Sequence, residues 1–146
     1  MKITMPCGLG IGPGGKCANS LCFNAATHVL EHHADSGVWR AGAYCTPCLN
    51  RKVRPAAQVA EADELDIMHG RTGGMNGLPD DTWKIRAFAP DELAELEAIR
   101  SGALLSLYVS PGNFIWATPA DVQADRERRA AEEEAAKQVR KTRSRQ

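Results

Sequence analysis

Aromatic side chains are scarce: three Trp, two Tyr and three Phe stand among 146 residues, too few for a broad aromatic core. Twenty-two alanines supply much of the 43% hydrophobic content, and alanine buries little area per side chain. A chain so thin in core formers is of the kind that depends on a metal ion or disulfides to stay folded. No apolar run reaches the roughly 18 residues of a membrane span, so no membrane association is expected. Residues 1–6, Met-Lys-Ile-Thr-Met-Pro, lack the apolar stretch of a secretory signal. A reducing cytoplasm is therefore the expected compartment, where paired cysteines bind metal more often than they oxidise.

Net charge is also missing, because 18 cations meet 18 acids. The cancellation hides three blocks. Residues 1–58 hold six cations against two acids, a net of +4. Residues 59–125 hold four against twelve, a net of −8, and residues 126–146 hold eight against four, a net of +4. Electrostatic fields act over roughly 8–10 Å, so the blocks matter more than their sum. Arginine outnumbers lysine twelve to six, which with the alanine content suggests GC-rich coding and a bacterial or phage-infected host cell. No internal repeat is visible.

What the chain does have is four cysteines in two tight pairs, Cys17-x4-Cys22 and Cys45-x2-Cys48, separated by twenty-two residues. That interval holds one β-hairpin. Two pairs brought together by a hairpin offer four soft thiolate ligands, the donor set of a structural Zn2+ site. Cys7 could replace Cys17, but its fifteen-residue interval to Cys22 is a looser pairing, so it is read as a bystander.

Local signals give an α+β chain in four segments. Residues 1–57 hold the cysteine module behind a glycine-rich, flexible loop at 8–15. Within it, 26–33 and 38–44 read as strands around the turn signal Asp35-Ser36-Gly37, and Cys45 leads into a helix interrupted by Pro55. Residues 58–82 hold an acidic helix, which begins at 56 and ends at 68, followed by a glycine-rich linker. Residues 83–118 read as a β-α-β-β unit. It comprises a strand at 83–88, a helix opened by Pro90 and ended by Gly102, and a hairpin around Ser110-Pro-Gly-Asn113, a type II turn signal. Residues 119–146 read as a charged helix capped by Thr118-Pro119, with a basic, frayed tail from 137.

The Cys-x4-Cys pair, the Asn-Ala-Ala-Thr-His-Val run, the hairpin and Tyr-Cys-Thr-Pro-Cys-Leu leading into a helix resemble the treble-clef zinc knuckles over residues 17–54. That resemblance implies a local fold in which the second pair sits at a helix start, where the dipole favours thiolate charge. Within that superfamily, Glu31-His32-His33 followed by Cys45-Thr-Pro-Cys48 looks like the HNH endonucleases. The HNH resemblance implies that His32 or His33 activates water beside a divalent cation. The sequence departs from that family in two places: Ala34-Asp-Ser-Gly37 is a tight turn where the family has a long loop, and no histidine follows Cys48.

Other patterns fall short. His28 follows Cys22 by only five intervening residues, against about twelve in a Cys2His2 finger. Gly10 to Cys17 mimics a P-loop, but Cys17 stands where a hydroxyl must hold Mg2+. Nucleic acid, DNA or RNA, is the first expected partner. Lys16, Arg40, Arg51, Lys52 and Arg54 would contact phosphates around the knuckle, and Arg140, Lys141, Arg143 and Arg145 from the tail. Trp39 could stack on a base. A protein partner through the acidic helix or the C-terminal helix is the alternative, which would make the chain an adaptor.

Overall fold

The computed structural model describes residues 2–145. The chain is α+β, as expected, and divides within one helix, between Glu97 and Ala98, into two units.

The first unit opens with β1 (Ile3–Thr4) paired antiparallel to β2 (Gly10–Ile11). The glycine run at 8–15 is anchored and is no flexible loop, which corrects the expectation. Leu9 and Ile11 are wholly buried, and a 3-10 turn follows at Pro13–Gly15. At Gly12 a Cβ would meet the Cys17 carbonyl oxygen at 2.4 Å, so the run reflects close backbone packing.

β3 (His28–Ala34) and β4 (Gly37–Tyr44) form the expected hairpin, with Ala34 paired directly to Gly37. A bulge shifts the register between Leu30 and Glu31. Near it Gly42 adopts a φ of 149°, where a Cβ would press on the Gly10 carbonyl at 3.2 Å. α1 (Thr46–Lys52) follows, then β5 (Val53–Arg54) and α2 (Ala56–Met68). α2 begins where Asp80 accepts from the Ala56 N–H at 3.0 Å. Of the apolar residues of α2, Val59 is buried, whereas Leu65 and Met68 face solvent. The loop after α2 is tied back to it: Asn76 donates to Asp63 and Asp66 at 2.9 and 2.7 Å. β6 (Leu78–Pro79) then pairs parallel to β5.

β7 (Trp83–Arg86) lies on β3, giving a three-stranded antiparallel sheet of order β4-β3-β7. This strand was expected to join the later hairpin; instead it completes the sheet of the cysteine module. α3 (Pro90–Ser101) follows and carries Leu96, which is buried. The core of the unit is small. Met5, Leu9, Ile11, Leu30, Leu49 and Leu96 are its largest apolar members, the thin core that favours a metal staple.

Glu92 is the buried charged residue, 2% exposed. It accepts from Arg86 at 2.6 and 3.0 Å, from Arg40 at 2.9 Å and from the Ala89 N–H at 2.9 Å. Two guanidiniums and a backbone donor satisfy it, which is what a buried carboxylate requires.

The second unit contains β8 (Leu105–Ser110), β9 (Asn113–Ala117) and α4 (Pro119–Ser144). The turn between the strands has Gly112 at φ 77°, the conformation a type II turn demands. Thr118 and Asp121 form a reciprocal capping box at the start of α4. α4 stays helical to Ser144, where a frayed tail was expected. Ion pairs at i,i+3 and i,i+4 spacing, such as Arg128–Glu132 at 2.7 Å and Lys137–Glu133 at 2.8 Å, support its exposed length. Among the described residues no helix is long and apolar enough to cross a membrane.

Candidate metal centre

Two short elements deliver the four sulfurs. The first is the loop that begins at Cys17. The Cys17 N–H donates to the Asn24 carbonyl at 2.8 Å, and the Cys22 N–H donates to Asn19 at 3.2 Å, which folds Cys17 and Cys22 toward each other. The Ala18 N–H donates to Ala43 in β4 at 2.8 Å, which fixes this loop against the hairpin. The second is the start of α1, where Cys45 is the N-cap and Cys48 lies in the first turn. β4 ends at Tyr44, so the hairpin itself feeds Cys45 to its place.

The four sulfurs all lie within 4.8 Å of one another. Among the described residues, this is the group of His, Cys, Asp and Glu side chains that converges for a metal ion. The Sγ atoms of Cys22 and Cys45 are 3.7 Å apart. A tetrahedral ion with bonds of about 2.3 Å to sulfur would set that separation near 3.8 Å, so the donor set fits zinc in chemistry and in spacing. All five cysteines are free thiols. Cys7 lies outside the cluster, and its backbone N–H donates to Glu95 at 3.0 Å.

Donors surround the sulfurs. Asn19 Nδ2 and Arg51 Nη2 donate to Cys48 Sγ at 3.4 and 3.3 Å, and Asn24 Nδ2 approaches Cys45 Sγ at 3.7 Å. Four thiolates around a divalent ion leave excess negative charge, and these donors offset part of it. The thiols differ accordingly. Burial pushes Cys17 up to about 12. Burial also acts to raise Cys48, but the hydrogen bonds from Asn19, Cys45, Arg51 and Cys22 together outweigh it and hold Cys48 at about 6. Coordination of a metal requires thiolates, so binding at this cluster is coupled to proton release. The outer donors Asn19 and Asn24 were not picked out from the sequence. Their signal there is two amide residues flanking Cys22 within one short loop.

The expected phosphate-contacting cations separate into two groups. Arg51, Lys52 and Arg54 line one cleft of about 550 Å3, together with Gln58, Asn76 and Gly77. Lys16 is exposed, as are Arg140, Lys141 and Arg143 on α4 of the second unit and Arg145 just past its end. Arg40 is committed elsewhere: it donates to Glu92 and to the Cys7 carbonyl.

The two histidines of the HNH-like segment also have other engagements. His32 stacks on Trp83 with ring centroids 4.3 Å apart. His33 Nε2 sits 3.3 Å from Glu31, which in turn pairs with Arg86 at 3.0 Å. Among the described residues, no group of three ligating side chains gathers around either histidine. Comparison with protein families, with curated proteins and with solved structures finds no match for this chain. No family is therefore shown for this chain, and the four converging sulfurs are what its own residues establish.

Proposed function

We propose that this chain is a non-enzymatic accessory protein in which a structural zinc ion holds a small treble-clef-like module that binds DNA or RNA. The order of cysteine loop, hairpin and helix start supports the treble-clef reading. The observation that carries the binding role is the convergence of Arg51, Lys52 and Arg54 on one cleft beside the metal ligands. Cations lining a shared groove are what phosphate recognition needs, and they need not read sequence. Lys16, with Arg140, Lys141, Arg143 and Arg145 at the end of the chain's last helix, adds positive charge at exposed positions.

The test is a shift assay on zinc-loaded protein across a salt series. Binding should weaken steeply with salt, and replacing Arg51, Lys52 and Arg54 by Gln should flatten the slope by about two on a single strand. Absence of binding at roughly 50 mM salt would overturn the proposal.

A protein adaptor is the second reading, favoured by Leu65, Ile67 and Met68, which stand exposed on the acidic α2. An amphipathic basic partner segment would cover them. The HNH-like nuclease is the enzymatic alternative. Plasmid cleavage with Mg2+ that disappears in His32→Ala and His33→Ala would establish it.

A further inference from the structure

Residues opposite one another on neighbouring strands rise from the same face of a sheet. His32 on β3 is opposite Trp39 on β4 and opposite Trp83 on β7. Three rings from three strands thus form one row across the sheet. The centroids of His32 and Trp83 are 4.3 Å apart with planes 12° from parallel, and those of His32 and Trp39 are 6.1 Å apart at 36°. The row ends at Trp39, on the edge strand β4, where the indole is 51% exposed. A tight turn pairs Ala34 with Gly37 at this end of the hairpin.

With only three tryptophans in the chain, half-exposing one at the end of a packed row is a notable use of apolar surface. His32 and Trp83 hold the row in place, so a flat ligand meeting Trp39 finds a ring that is already oriented. Such preorganisation lowers the entropic cost of stacking.

The cations of the cleft indicate the class of ligand. β6, which pairs Pro79 with Arg54, is followed by β7 at Trp83. Four residues of chain span at most about 14 Å, so Trp83 stands within that reach of Pro79, the partner of Arg54. Trp39 lies two strands further on, about 10 Å, and a single strand of several nucleotides spans such a path. Phosphates and bases must be met together, and only unpaired bases expose a face to stack.

We infer that Trp39, backed by His32 and Trp83, is a stacking site for an unpaired nucleobase, so that the nucleic acid bound by this module is single-stranded. The inference rests on the nucleic-acid reading above and adds the class of strand and the contact that selects it.

Fluorescence anisotropy with a labelled oligothymidylate and with a duplex of equal length, at low salt, tests it. The wild type should bind the single strand more tightly than the duplex. Trp39→Ala should weaken single-strand binding about tenfold while leaving its salt slope unchanged, since stacking releases no counterions. Trp39→Phe should recover most of the loss. Zinc content and melting temperature, measured on the same samples, verify that each variant is folded.

Equal binding of both strands, weakened only by the Arg51, Lys52 and Arg54 replacements, would overturn the stacking site and leave the cleft reading standing. Failure of every oligonucleotide to bind would remove both. Trp39-dependent capture of an arginine-rich peptide, with no response to oligonucleotide, would assign the row to a cationic ligand and overturn the proposal as well.

Discussion

Arg86 grips Glu92 through both terminal nitrogens, at 2.6 and 3.0 Å, while its Nε reaches Glu31 at 3.0 Å. One side chain at the end of β7 thereby joins the central strand to the first turn of α3. The hydrogen bonds from Arg86, opposed by burial and aided by Ala89 and Arg40, hold Glu92 at about 2. A carboxylate held below its ordinary 4.5 stabilises the fold fully above that value. That contribution is lost as pH falls from about 4.5 towards about 2. Glu92→Gln should therefore melt below the wild type at neutral pH, and the gap should close across this window. Acid also releases metal from thiolates, so the two melting curves are compared from neutral pH down only as far as elemental analysis finds the metal retained in both proteins. At neutral pH Glu92→Ala should cost roughly 3–5 kcal/mol, since it leaves two guanidiniums facing a buried void.

The metal prediction separates the five cysteines. The wild type should carry one zinc ion per chain by elemental analysis, and Cys48→Ser should carry little. Cys7→Ser should keep its zinc, because Cys7 lies outside the sulfur cluster. Apparent zinc-binding energies of about 10–16 kcal/mol match or exceed ordinary domain stabilities. A strong chelator should accordingly abolish the cooperative melt of the first unit.

Asn19 is expected to tune the affinity for metal without supplying a ligand. Its amide N–H reaches Cys48 Sγ at 3.4 Å. Removing such an outer partner commonly weakens metal binding by about 10–100-fold. Chelator competition on Asn19→Ala should show that loss with stoichiometry unchanged. An unaltered affinity would mean that Arg51 alone supports the sulfur.

Thr118 governs the entry into α4. Its hydroxyl accepts from the Asp121 N–H at 3.2 Å, and Asp121 accepts in return from the Thr118 N–H at 3.3 Å. Thr118→Ala should cost about 0.5–2 kcal/mol. The loss should appear as reduced helical signal in circular dichroism, since no residue of α4 is buried to hold the helix by packing.

Much of the first unit was legible because its signals are local. The cysteine spacing, the Asp35-Ser36-Gly37 turn and the helix at 56–68 each depend on residues near in sequence. The turn at Gly112 and the cap at Thr118 were legible for the same reason. What escaped was long-range. Trp83 to Arg86 has ordinary strand composition, and nothing in those four residues says that their partner is β3, some fifty positions earlier. Nothing near Glu92 in sequence marks it for burial, because its two arginine partners come from β4 and β7. The row of His32, Trp39 and Trp83 was hidden likewise: each ring sits on a different strand, and only the sheet register aligns them. The persistence of α4 to Ser144 reflects ion pairs whose summed effect a glance at alanine and charge underrates.

The order of these parts along the chain bears on how the molecule assembles. The four sulfurs are complete once Cys48 has been made, whereas the central strand β3 gains its second neighbour only with residues 83–86. A chain leaving the ribosome can therefore close a metal-clamped hairpin while the edge that β7 will later occupy is still open. An open edge is a pairing hazard, and the hazard lasts as long as the intervening α2 and its loop take to emerge and dock. A metal bound to the four sulfurs at that stage would leave a templated edge awaiting its own strand; without it, an unclamped hairpin is free to pair with its neighbours.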